Sequence, residues 1–107
     1  MTGRSIQFKH LTDEQGNPVG GYSHGCGFTI TWQAGPLGRG EHRKEPNGAF
    51  VEDIIAAAAN RLQYYQNSKF ASTYNRDALL ALQAALTSLK ERTEEREHRE
   101  VEGTHAV

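Results

Sequence analysis

The chain has 107 residues, with 12 lysines and arginines against 13 aspartates and glutamates and a formal charge of −1. That length predicts a single domain, 1–107, and the near-neutral balance supplies no bulk basic field to attract nucleic acid. No apolar run approaches the ~18 residues a membrane span needs, and one cysteine, Cys26, excludes an internal disulfide and fits a reducing cytoplasm.

Met1-Thr2-Gly3-Arg4-Ser5 lacks the apolar core of a secretion signal, so none is expected. Ser5-Ile6-Gln7-Phe8-Lys9 alternates polar and apolar and predicts a short strand. Phe28-Thr29-Ile30-Thr31-Trp32-Gln33 alternates more clearly, with Phe28, Ile30 and Trp32 on one side. The two strands are expected to be antiparallel. Their connection carries turn signals at Gly16-Asn17-Pro18 and Gly20-Gly21. Gly35-Pro36-Leu37-Gly38-Arg39-Gly40 breaks the second strand, and a loop continues through Glu45-Pro46, closing a strand-and-loop half at residue 46.

The second half, 47–107, reads as helical. Asn47 suits an N-cap, and Glu52 and Asp53 suit the positive end of a helix. Phe50, Ile54, Ala57 or Ala58, Leu62 and Tyr65 predict an apolar stripe, fading near Asn67-Ser68. Asn75 is placed as a second N-cap, opening a helix that runs to about Arg99. Its Leu79, Leu82, Leu86 and Leu89 make a seam for antiparallel packing on the first helix. The expected fold is therefore α+β: short N-terminal antiparallel strands, then a two-helix antiparallel hairpin. Only 36% of the residues are hydrophobic, and Leu80, Ala81 and Ala84 extend the apolar surface beyond the seam, so an oligomer is expected.

Arg92, Arg96 and Arg99 fall at i, i+4 and i+7, on one helix face. An anion docked between them would relieve their repulsion and accept bidentate, charge-assisted hydrogen bonds. The same pattern suits an ion-paired helix surface, because Glu95 and Glu100 lie three or four residues from these arginines. Arg39, Arg43 and Lys44 form a second cationic group, either a solvated loop or a further phosphate contact. Gly35–Gly40 is not a P-loop, since no Gly-Lys-Ser/Thr follows. His24 and Cys26 lack the further ligands of a metal site, and Cys26 has no identifiable base. No metal, cofactor or catalytic residue is expected.

Three segments resemble one family in the right order. Asn47-Gly48-Ala49-Phe50-Val51-Glu52-Asp53-Ile54 resembles the start of its first helix. Phe70 and Asn75 resemble its helix–helix turn. Arg92–Thr104 resembles its C-terminal signature, except that Glu100 stands where Gly is expected, which could lengthen the last helix by a residue. The family is that of small phage-encoded sponges for nucleotide immune signals, the Thoeris anti-defence and anti-CBASS hairpin proteins. The resemblance covers roughly Gly35 to Thr104 and lies nearest the Thoeris branch.

The resemblance implies a ligand site of Tyr65, Asn75, Arg92 and Arg96. Tyr65 would stack a purine, Asn75 would pair with a base edge or ribose hydroxyl, and the arginines would clamp phosphate. Taken singly, Tyr65 also suits a core aromatic and Asn75 a helix cap. Arg92 lies about 25 Å along a helix from Asn75, so the site would be shared between copies. The resemblance also implies a homohexamer, and a second nucleotide site that Arg39 and Arg43 could serve. The implied function is non-catalytic sequestration of cyclic ADP-ribose-type signals, or of cyclic di- and trinucleotides, in the cytoplasm of an infected bacterium. Two other functions fit the chain: an enzyme cleaving the same signals, and a regulatory helical hairpin binding a protein partner. Neither DNA nor a membrane is an expected partner.

Overall fold

A computed structural model describes residues 5–107. The expectation of no secretion signal rests largely on residues outside that range. The order is β1 (Gln7–Thr12), β2 (Pro18–Gly25), β3 (Phe28–Trp32), a short 3-10 turn (Gly40–His42), α1 (Val51–Gln66) and α2 (Thr73–His98). The chain is α+β, and it divides into two compact units. One comprises the described residues up to Phe50 together with Val101–Val107, and the other is Val51–Glu100.

The first unit is a three-stranded antiparallel meander in the order β1-β2-β3. Asp13 closes its first turn. Its Oδ1 accepts from the Gln15 and Asn17 N–H groups, both at 2.9 Å, and its Oδ2 from Asn17 Nδ2 at 3.1 Å. The sequence reading had two strands, and β2 corrects it, because β1 pairs with β2 and not with β3. Gly20-Gly21 lies inside β2. Both glycines have positive φ, 103° and 130°, and a Cβ on Gly21 would collide with the Lys9 carbonyl across the strand pair. Registry sets Phe8, Ser23 and Ile30 side by side. Beside them, Trp32 donates from Nε1 to Ser23 Oγ at 3.1 Å.

Asn47 does not cap α1. Its Oδ1 accepts from the Ala34 N–H at 2.8 Å, its Nδ2 donates to the Ala34 carbonyl, and its own N–H donates to Gln33 Oε1. Ala49 then bridges β3 through the Thr31 carbonyl and the Gln33 N–H, so the chain stays extended and the helix starts at Val51.

The second unit is an antiparallel helix pair. Glu52, at the start of α1, meets Arg92 near the end of α2, and Gln66, at the end of α1, meets Ser72. Ala59 and Leu79 are its buried apolar residues. Leu82, Leu86 and Leu89 are half-buried along the seam, as the spacing predicts. The α1 stripe holds at Phe50, Ile54, Leu62 and Tyr65, all half-buried, and differs at one position: Ala59 is buried, whereas Ala57 and Ala58 are exposed. Ser72, not Asn75, is the N-cap of α2. Its Oγ accepts from the Asn75 N–H at 3.0 Å, which puts Asn75 three positions inside the cap.

Helix α2 ends at His98. Arg99 is its C-cap, and Glu100 follows with φ at 60°. Glu100 therefore does not lengthen the helix. It takes the left-handed position that commonly ends helices and that glycine fills without strain.

Candidate functional site

The four residues implied for ligand binding all lie on the helix pair, at its two ends. Tyr65 is half-buried in the last turn of α1. Asn75 is half-buried in the first turn of α2, where Nδ2 donates to the Phe70 carbonyl at 3.3 Å. That bond holds the carboxamide beside the turn, while the main-chain N–H of Asn75 donates to Ser72 Oγ. Seventeen positions on, Arg92 donates from Nη2 to Glu52 Oε1 at 3.4 Å. Arg96 sits one turn further along α2 and is half-buried. About 25 Å of helix separates Asn75 from Arg92, so the structure brings together Tyr65 with Asn75 at one end, and Arg92 with Arg96 at the other.

The spacing-based pairing holds for Arg99 and fails for Arg92. Arg92 pairs with Glu52 from α1 in place of Glu95, and Glu95 pairs with Arg99 at i, i+4. The Arg92–Glu52 pair is exposed and long, so it holds Arg92 only weakly, by about 0.2–1 kcal/mol.

The turn end carries a group that the sequence reading missed. Arg61 lies three and four residues before Tyr64 and Tyr65, so all three side chains share a face of α1. Its guanidinium carbon sits 4.8 Å from the Tyr64 ring centre and 4.9 Å from that of Tyr65, and Nε donates to the Tyr65 hydroxyl at 3.1 Å. The two rings are tilted at 59° with centres 5.9 Å apart. Arg61 and Tyr65 at i, i+4 is the signal that could have found the group.

Arg39 and Arg43 are engaged within the first unit. Arg43 grips Glu102 bidentately, Nη1 to Oε2 at 2.6 Å and Nη2 to Oε1 at 2.9 Å. Arg39 donates to the Glu102 carbonyl at 2.9 Å, and the Gly38 N–H donates to the Gly103 carbonyl at 2.8 Å. The two arginines thus pin residues 102–103 to the Gly-rich loop through the Glu102 carboxylate and carbonyl. Among the described residues no group of three or more His, Cys, Asp or Glu is placed to hold a metal ion. Cys26 is exposed in the β2–β3 turn.

No family model matches the chain. It is 48% identical over 77 residues to Thoeris anti-defense 1 of Bacillus phage SBSphiJ7. The match covers 72% of this chain and 51% of that protein, so the chain spans about half the length of the curated relative it matches. The resemblance to the Thoeris branch is borne out by this identity.

Proposed function

Because the chain is a relative of a Thoeris anti-defence protein, we propose that it counters Thoeris immunity in a phage-infected bacterium by sequestering the nucleotide signal unchanged. The likeness over 77 residues carries this reading. The side chains suit the task. Tyr65 offers a ring to a purine, Asn75 a fixed carboxamide, and Arg92 and Arg96 two cations one turn apart on α2. The favoured ligand class is the cyclic ADP-ribose type. Cyclic di- and trinucleotides are a second class, for which Arg39 and Arg43 supply cations once Glu102 gives way.

The two ends of the helix pair are too far apart for one small ligand, so a second copy completes each site. The surface supports assembly. Leu80 is 57% exposed, Phe70 68% and Tyr74 85%, a large apolar exposure for a helix pair with two buried apolar side chains. The proposed assembly is a homohexamer acting in the host cytoplasm. Among the described residues no helix is long and apolar enough to cross a membrane.

The test is to mix protein with a cyclic ADP-ribose-type signal, remove free ligand, denature with heat and identify what is released. Intact signal in amounts matching the protein is the expected result. A new product in excess of the protein identifies an enzyme, and no retained nucleotide overturns the reading. Mass in solution tests the assembly, and a monomer at micromolar concentration contradicts the shared site.

A further inference from the structure

We propose that Arg61 is itself a ligand-binding residue, which takes a phosphate of the nucleotide whose base lies against Tyr65. The inference rests on the nucleotide-binding reading and deepens it by naming a contact at the turn end.

Three observations carry it. First, the guanidinium is held in place by two rings, at 4.8 and 4.9 Å, and by the Nε bond to the Tyr65 hydroxyl. A cation over aromatic faces keeps its charge and gains order, so less side-chain entropy is lost when an anion docks. Second, the bond to Tyr65 uses Nε and leaves the two terminal nitrogens with no hydrogen bond among the described residues. Those nitrogens form the planar fork that matches two phosphate oxygens. Third, no carboxylate of the described residues pairs with Arg61, whereas Arg76 and Arg92 on α2 and Arg99 at its C-cap each face one. A phosphate at Arg61 displaces no carboxylate partner, whereas one at Arg92 displaces Glu52.

The placement also resolves a difficulty in the four-residue site. Tyr65 and Asn75 offer a base and a ribose their contacts, but the arginines of the same chain lie at the opposite end. Arg61 puts a cation beside Tyr65 within one chain. A nucleotide's base, sugar and first phosphate can then sit at the turn end, while Arg92 and Arg96 of a second copy reach the remaining phosphate.

The experiment is calorimetric titration of the full chain with cyclic ADP-ribose at several salt concentrations, for wild type, Arg61→Gln and Arg61→Lys. Arg61→Gln is expected to weaken binding roughly tenfold to a hundredfold and to flatten the salt dependence, since one phosphate contact is lost. Arg61→Lys keeps the charge but not the fork, so it is expected to fall between the other two. Unchanged affinity and salt dependence in Arg61→Gln, with wild type binding normally, overturns the proposal and leaves the sequestration reading standing. Weaker binding with the wild-type salt dependence also overturns it, because Arg61 then acts only by holding Tyr65. Wild type that binds no nucleotide overturns both. Thermal melts of the same variants confirm that equal folded concentrations are compared.

Discussion

The Gln66 carboxamide holds both main-chain polar groups of Ser72: its Oε1 accepts from the Ser72 N–H at 2.9 Å, and its Nε2 donates to the Ser72 carbonyl at 3.1 Å. The last residue of α1 thereby fixes the N-cap of α2, whose Oγ in turn accepts from the Asn75 N–H. The turn bearing Tyr65 and Asn75 is ordered by this chain of bonds as well as by packing.

Gln66→Ala removes two half-buried hydrogen bonds and is expected to cost about 1–3 kcal/mol. Ser72→Ala removes the cap and is expected to cost about 1 kcal/mol. The bonds share one turn, so the double variant should lose less than the sum of the two. Urea denaturation of the three variants measures this. Strictly additive losses would show that the two bonds act independently.

The sequence exposed what rests on periodicity. The alternation at Phe28–Trp32 gave β3, and the leucine seam from Leu79 to Leu89 gave the packing face of α2. It hid what rests on tertiary context. Gly20-Gly21 carries a turn signature, yet both glycines serve a strand: each has a positive φ, and at Gly21 the Lys9 carbonyl passes too close for any Cβ. Asn47 and Asn75 have the chemistry of caps, but Gln33 and Ala34 engage the first, and Ser72 takes the capping position ahead of the second. Of the candidate site, Tyr65, Asn75, Arg92 and Arg96 came from motif resemblance. Arg61 was overlooked because a lone arginine beside two tyrosines matches no motif.

Glu100 occupies a glycine position with φ at 60°. A left-handed conformation costs an ordinary residue about 1–2 kcal/mol, and glycine pays part of that back in unfolded-state entropy, about 0.4–1 kcal/mol. Glu100→Gly is therefore expected to stabilise the protein by about 0.5–1 kcal/mol in chemical denaturation. Glu100→Ala, which keeps the Cβ, should show no such gain. A gain equal to that of glycine would trace the effect to the lost charge instead.

Asp13 predicts a pH dependence. The Asn17 N–H and then the Asn17 side chain hold its carboxylate below the usual range. With the folded pKa depressed, the contribution of Asp13 is fully present above its unfolded pKa and is lost as pH falls through the folded value. The amide resonances of Gln15 and Asn17 should report that transition below the ordinary carboxylate range, and the Asp13→Ala variant should lack it. A midpoint at the ordinary value would contradict the hydrogen bonds as drawn.

Arg92→Ala and Arg96→Ala are each expected to weaken signal binding by about tenfold to a hundredfold, as for a lost charge-assisted hydrogen bond. Loss of the exposed Arg92–Glu52 pair should change stability by no more than about 1 kcal/mol. Glu52→Gln removes the carboxylate that competes with an anion for Arg92, so it should tighten binding. Normal affinity in refolded Arg92→Ala would make that residue part of the framework alone.

Tyr65 separates stacking from packing. Tyr65→Phe keeps the ring and its contact with the Arg61 cation at 4.9 Å, and loses only the hydroxyl that accepts from Nε. Most affinity should survive. Tyr65→Ala removes the platform and should cost about 1–3 kcal/mol of binding. A sealed core aromatic would behave differently, losing about 3–5 kcal/mol of stability on truncation to alanine. Tyr65 is half-buried, which leaves part of its surface open to a base. Calorimetric binding and thermal melts on both variants decide between these patterns. If Tyr65→Ala binds as wild type does at matched folded concentration, the ring takes no part in the site, and the turn end must hold the ligand through Asn75 and Arg61 alone.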